Sequence, residues 1–172
     1  MSNIVLYESK YGSTERYAKW IAQELNCKIS KLSETNIDEL TNYQNIIYGG
    51  WIHAGKLEGF NKIQENDDKL KNKNLIVFSV GLSKTEDSSY KKFKDKNFKD
   101  FKNLQHFYLR GAFNFNNFIF IDKIMMGIFK QIIKIKKADT ENKDILAAYD
   151  KPVDYTNKEN MKPIVKAVKN LS

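Results

Sequence analysis

The hydroxyl-rich stretch Ser9-Lys10-Tyr11-Gly12-Ser13-Thr14 follows the apolar run Ile4-Val5-Leu6-Tyr7 and leads into a segment with helical spacing. The chemistry this order offers is anion binding. The first turn of a helix carries backbone N–H groups without partners, and the aligned peptide dipoles add partial positive charge there, so a phosphate finds donors already aimed at it. Ser9, Ser13 and Thr14 add hydroxyls, and Gly12 allows close backbone approach. The loop has neither the Gly-Lys-Ser/Thr that holds a triphosphate with magnesium nor the Gly-x-Gly-x-x-Gly of a pyrophosphate site, so the guest that fits is a monophosphate. The competing reading is a plain helix cap by Ser13 and Thr14.

Composition narrows the remaining classes. The 172 residues match one domain, 1–172, and 41% hydrophobic content supports a sizeable core. Cys27 is the single cysteine and His53 and His106 stand far apart, which excludes an internal disulfide and gives no metal cluster. The chain enters a strand close to Met1 without a basic, apolar leader, and no run of about 18 apolar residues occurs, so a cytoplasmic location is expected. The net charge is +8, and it is clustered: Lys91 to Lys102 has six lysines and two aspartates, and 117–137 has five lysines and one aspartate. Such charge suits anionic substrates, nucleic acid or an acidic membrane surface; no nucleic-acid-binding pattern accompanies it, so no nucleic-acid partner is expected.

The elements that must position the first loop follow from periodicity. Thr14, Tyr17, Ala18, Ile21, Ala22 and Leu25 recur at three and four and predict a helix. Strands are predicted at Ile4–Tyr7, Lys28–Leu32, Asn45–Tyr48, Asn74–Val80 and His106–Arg110. A helix is expected from Leu57 through the acidic run at 65–68, another at Glu86–Phe101, and a last one at Lys158–Leu171 with Pro163 near its start. Strands alternating with helices mean a parallel sheet covered on both faces, an α/β three-layer sandwich.

Ligands of such sheets bind beyond the carboxyl ends of the strands, where strand order reverses. Three loops leave those ends here: Glu8 to Thr14, Gly49-Gly50-Trp51-Ile52-His53-Ala54-Gly55-Lys56, and Ser79-Val80-Gly81-Leu82 with Ser83. Together these motifs resemble flavodoxin along the whole chain. That resemblance implies a flavodoxin-like fold, a five-stranded sheet of order 2-1-3-4-5 with an insertion after strand five at about 111–156, and FMN as cofactor. Its phosphate would lie on Ser9, Lys10, Tyr11, Gly12, Ser13 and Thr14. Its ring would lie between Gly50, Trp51, Ile52, His53, Ala54 and Gly55 on one side and Ser79, Val80, Gly81 and Leu82 on the other.

Within that superfamily, Arg110-Gly111-Ala112-Phe113, Phe120 to Met126, Lys137-Ala138-Asp139-Thr140 and Asp154-Tyr155-Thr156 are similar to the menaquinone-dependent protoporphyrinogen dehydrogenases. The resemblance implies oxidation of a porphyrinogen, a step of heme biosynthesis, with a quinone or another redox partner as acceptor. Trp51 is read as a ring that stacks on the flavin or, alternatively, as a core tryptophan. Carriers of this fold usually add an aromatic after strand four; Gly81-Leu82-Ser83 adds none, which leaves one flavin face open to a reduced small molecule. His53 is a candidate proton shuttle and Arg110 a candidate carboxylate partner, with Lys56 weaker; each is also readable as an ordinary loop side chain.

Segment 118–137 is apolar but broken by Asp122 and Lys123, so it cannot span a bilayer. It reads as an amphipathic helix at an anionic membrane surface, which would place the protein peripherally at the inner face of the cell membrane, or equally as a packing helix or subunit interface. The alternative overall function is an electron carrier without its own organic substrate. A phosphoryl-receiver domain shares the alternation of elements, but strand three ends in Gly49-Gly50 where that class needs an aspartate.

Overall fold

A computed structural model describes residues 2–82, 88–99, 101, 104–135 and 140–171. Along it run β1 (Asn3–Tyr7), α1 (Ser13–Leu25), β2 (Lys28–Lys31), β3 (Asn45–His53), β4 (Lys56–Leu57), α2 (Phe60–Gln64) and α3 (Asp67–Leu70). They are followed by β5 (Asn74–Gly81), α4 (Ser88–Phe98), β6 (Gln105–Arg110), β7 (Ala112–Phe113), α5 (Phe120–Ile135), α6 (Thr140–Asp150), β8 (Val153–Asp154) and α7 (Lys162–Lys169). The five long strands are parallel in the order β2-β1-β3-β5-β6, which is the expected 2-1-3-4-5 order once the two-residue β4 is set aside. Chain direction across the sheet reverses at β1, whose neighbours are β2 and β3.

Alternation along each strand builds two cores, one per face. Val5, Tyr7, Ile47, Ile76, Phe78 and Val80 pack against α1 and α7 through Tyr17, Ile21, Ile164 and Val168. Ile4, Leu6, Ile46, Tyr48 and Val77 pack on the other side against Phe60, Ile63, Leu70, Phe93 and Phe98. Register at the amino ends is pinned by an asparagine ladder: Asn45 donates to Asn3 at 2.8 Å and Asn74 donates to Asn45 at 2.7 Å. Each amide is thereby satisfied in a place where Asn45 has no exposure.

Two elements differ from their sequence reading. The glycine-rich stretch after β3 is not an open loop: β3 runs on to His53 and turns through Ala54 (φ 47) and Gly55 (φ 75) into β4. Two successive left-handed residues make the tight turn whose twist matches the flanking strands. The expected single helix through residues 57–68 is instead α2 and α3, broken at Glu65-Asn66. Asp67 and Asp68 then occupy the first turn of α3, where the helix dipole favours carboxylates, instead of lengthening an acidic stretch on one helix.

His106 on β6 is held between layers, with Nε2 2.9 Å from Ser79 Oγ and Nδ1 2.9 Å from Tyr90 Oη. Burial, with Lys94 nearby, pushes its pKa down to about 3. The unfolded chain therefore takes up a proton near the ordinary value of about 6.5 that the fold refuses. Stability should be constant above that pH and fall as pH drops from about 6.5 toward 5. Urea unfolding at several pH values tests this, and His106→Gln should flatten that part of the profile.

Candidate functional site

Helix α1 begins at Gly12, which stands in the left-handed region (φ 90) and gives the helix no side-chain cap. Its first internal bond is Arg16 N–H to the Gly12 carbonyl at 2.9 Å, so the N–H groups of Ser13, Thr14 and Glu15 have no acceptor within the helix. A Cβ placed on Gly12 would meet nothing within 4 Å, so the space over this turn is open. Ser9 Oγ accepts from Gly12 N–H at 3.1 Å, and Ser13 Oγ accepts from Ala112 N–H at 2.9 Å. A hydroxyl that accepts in this way keeps its own proton to donate. Thr14 lies beneath the turn and is buried.

The neighbouring carboxylates are engaged elsewhere. Glu8 Oε1 accepts from Ser33 N–H at 2.6 Å, and Glu15 pairs with Lys19 at 2.6 Å, a bond that lowers its pKa. The turn therefore presents open N–H donors, two hydroxyls and a helix dipole. This donor set fits a phosphate monoester.

The β3–β4 hairpin stands next to this turn because β1 and β3 are paired, with Tyr7 opposite Gly49. Gly50, Trp51, Ile52 and His53 are its outgoing strand, Ala54 and Gly55 its turn, and Trp51 is half-buried. Asn97 of α4 fixes the hairpin: its Oδ1 accepts from Leu57 N–H at 2.9 Å and its Nδ2 donates to the Gly55 carbonyl at 3.0 Å. Of the residues at the end of β5, Ser79 turns its hydroxyl to His106 and Val80 packs in the α1 core, which leaves Gly81 and Leu82 at the crevice edge. Ser83 lies outside the described residues.

Arg110, opposite Gly81 in the sheet, is held in place by its own chain. Its Nε donates to the Leu82 carbonyl at 3.2 Å, and its guanidinium carbon lies 3.6 Å from the centre of the Tyr155 ring. Its terminal nitrogens have no hydrogen-bond partner among the described residues. Such a planar, pre-set fork suits a carboxylate. Lys56 is exposed on the hairpin.

The segment after β6 closes over the site. Its two ends are joined by β7 and β8, and Phe113, Phe115, Phe118 and Tyr149 form an aromatic cluster between them. Arg16 anchors the far end by donating to Asp154 and to Thr156, both at 2.7 Å. The near end is anchored by Asp122, in the first turn of α5 and only 6% exposed. Lys10 Nζ reaches its two oxygens at 2.8 and 2.7 Å, Tyr11 donates its hydroxyl to it, and Phe118 stacks on Tyr11 with centroids 4.4 Å apart. Hydrogen bonds from Lys10 and then Tyr11 hold the Asp122 carboxyl below its ordinary pKa, and the charge of His53 adds to the effect. Lys10 and Tyr11 thus spend their polar atoms on the insertion.

Sequence reasoning did not single out Asp122, Asn97, Arg16 or Tyr155 for these roles. The available signal was a lone carboxylate inside an apolar run, which has to find a cation if its helix packs.

Comparison with known proteins agrees with the fold. Residues 4–143 match the family model described as a flavodoxin domain. An uncharacterized protein of Methanocaldococcus jannaschii is 30% identical over 152 residues, covering 85% of this chain and 99% of its own. Among solved structures, a WrbA-like flavodoxin from Agrobacterium tumefaciens is 23% identical with a TM-score of 0.43, over 50% of this chain and 64% of that one. Oxidised Flavodoxin 2 from Bacillus cereus is 18% identical with a TM-score of 0.46, over 64% and 84%.

Removing the Asp122 carboxylate should loosen the insertion from the loop. Asp122→Ala leaves Lys10 without its partner, and the expected loss is about 1 to 3 kcal/mol in urea unfolding. Hydrogen exchange should speed up at residues 118–126 and in the 9–12 loop, with the asparagine ladder unaffected. Uniform loss of protection across the sheet would contradict the anchoring role.

Proposed function

The chain belongs to the flavodoxin domain family, and from that premise we propose that it is an FMN-dependent oxidoreductase of the protoporphyrinogen dehydrogenase kind. FMN is its cofactor, and the residues present fit it. Gly12, with the open N–H groups of Ser13, Thr14 and Glu15 and the hydroxyls of Ser9 and Ser13, would hold the phosphate. The hairpin with Trp51 and the Gly81-Leu82 edge would border the ring. When bound, the cofactor supplies two-electron redox chemistry, taking electrons from a reduced organic donor and passing them to an acceptor such as a quinone.

The observation that carries the enzymatic reading is the pairing of a stretch without an aromatic residue with a fixed cation. Gly81 to Asp87 contains no aromatic residue to cover a flavin. Tyr90, the next aromatic along the chain, is engaged with His106 and stacks near Phe93. Beside the Gly81-Leu82 edge, Arg110 is stacked on Tyr155 and tied to Leu82, and its terminal N–H groups, without a hydrogen-bond partner among the described residues, would take a substrate carboxylate. A porphyrinogen carries propionates and can be oxidised without further activation. Each two-electron removal from it releases two protons, and a quinone takes up both electrons and protons to become a quinol. His53, on the hairpin and within electrostatic reach of Asp122, is the candidate proton shuttle.

Flavin released on denaturation should chromatograph as FMN. With protoporphyrinogen and a soluble quinone, the purified protein should form porphyrin anaerobically. Arg110→Lys should raise KM by about tenfold or more, since the planar fork is lost while the charge stays. Porphyrinogen esterified at its propionates should lose the same factor with the parent protein and no more with the variant. A protein that holds FMN, exchanges electrons with a reductase and leaves porphyrinogen unoxidised would be a carrier. Release of FAD would remove the premise.

A further inference from the structure

We propose that the outward face of α5 docks the protein onto an anionic lipid bilayer, with the helix lying in the headgroup layer and not crossing it. At 100° per residue, Asp122, Met126, Phe129 and Ile133 share one side of α5, while Phe120, Ile121, Ile124 and Ile128 share the opposite side, with Ile132 and Met125 at its edge. Except at Phe129, which is 42% exposed, the structure divides them the same way: Asp122 and Ile133 are buried, whereas Phe120 and Ile121 are 77% and 66% exposed and Ile124, Met125, Ile128 and Ile132 at least 40%. Lys123, Lys130 and Lys134 line one flank between the two sides.

This apolar face cannot turn inward and hide. Asp122 ties the other side of the helix to Lys10 and Tyr11, and Tyr149 donates to the Met126 carbonyl at 2.8 Å. Four turns of helix present large apolar side chains to solvent, more than a protein surface ordinarily leaves uncovered. Sixteen residues span about 24 Å, short of a hydrocarbon core of about 30 Å, and no helix among the described residues is long and apolar enough to cross a membrane.

Charge and residue type identify the occupant. An anionic surface satisfies the lysine flank and the apolar face together, because Lys123 and Lys134 take part in no ion pair among the described residues and can reach headgroups while the isoleucines enter the acyl boundary. A second copy of the chain would bring two such flanks together on molecules that each carry +8. Phe120 and Met125 would also suit a protein partner, but the lysines that flank the face are a residue type that protein interfaces deplete, and lipid headgroups take them. The proposal does not depend on the substrate of the flavin site, because lipid binding is read by sedimentation alone.

The test is co-sedimentation of the full chain with vesicles of equal parts phosphatidylglycerol and phosphatidylcholine, against phosphatidylcholine alone, over a salt series. The partition coefficient should be at least about tenfold higher on the anionic vesicles and should fall as salt rises. Lys123→Glu with Lys134→Glu should lower it at least about tenfold. Ile124→Asp with Ile128→Asp should abolish binding while near-ultraviolet circular dichroism stays unchanged, because both side chains are exposed. Equal binding to both vesicle types, or none at low salt, overturns the proposal. So does a dimer in analytical ultracentrifugation that the double aspartate variant dissociates, since a second copy would then cover the face.

Discussion

The structure depends on one constraint, a helix that starts without a cap. Gly12 enters α1 from left-handed backbone and supplies no side chain to the first turn, so three N–H groups must find a partner from outside the helix. An ordinary N-cap side chain would satisfy one of them internally at a gain of about 1 kcal/mol. Here that gain is given up at the place where the sheet order reverses and the β3–β4 hairpin stands alongside. A site poor in internal partners and rich in donors is suited to a charged guest, whose binding then supplies the missing bonds.

The rest of the crevice is held so that this turn stays open. The Asn3–Asn45–Asn74 ladder fixes register at the amino ends of three strands, and the heights of the three loops at their carboxyl ends follow from it. Asn97 locks the hairpin from the α4 side, and Arg16 and Asp122 bind the two ends of the insertion to α1 and to the loop before it. Asp122 joins the insertion to the first loop. It brings a carboxylate close to an anion site, and Lys10 neutralises it there, so the insertion is placed without repelling a phosphate.

The strands and the first loop were legible in the sequence because their signals are local: the apolar run of Asn74–Val80, three-four spacing from Thr14 to Leu25, and a glycine between hydroxyls, whereas the strand order came from the resemblance to flavodoxin. The hairpin after β3 was missed because three glycines in seven residues suggest irregular backbone, whereas pairing with β5 through Trp51 and with Lys56-Leu57 makes it a strand. The helix through 57–68 was overextended because spacing alone does not register the mutual repulsion of Glu65, Asp67 and Asp68. The roles of Asp122 and Tyr155 depend on partners more than forty residues away, which no window of the sequence brings together. The apolar face of α5 was legible as a stripe, but its direction was not, because only packing decides which side of an amphipathic helix faces in.

The most direct measurement of the central claim is phosphorus NMR of the protein reconstituted with FMN. A phosphate ester free in water titrates with a second pKa of about 6. Held by the N–H groups at the start of α1 and screened by the insertion, it should give one resonance that does not move between about pH 5 and 8, and that resumes titrating in Ser9→Ala with Ser13→Ala. A bound flavin whose phosphate titrates as it does in water would contradict the account, for the open turn of α1 would then be no anion site.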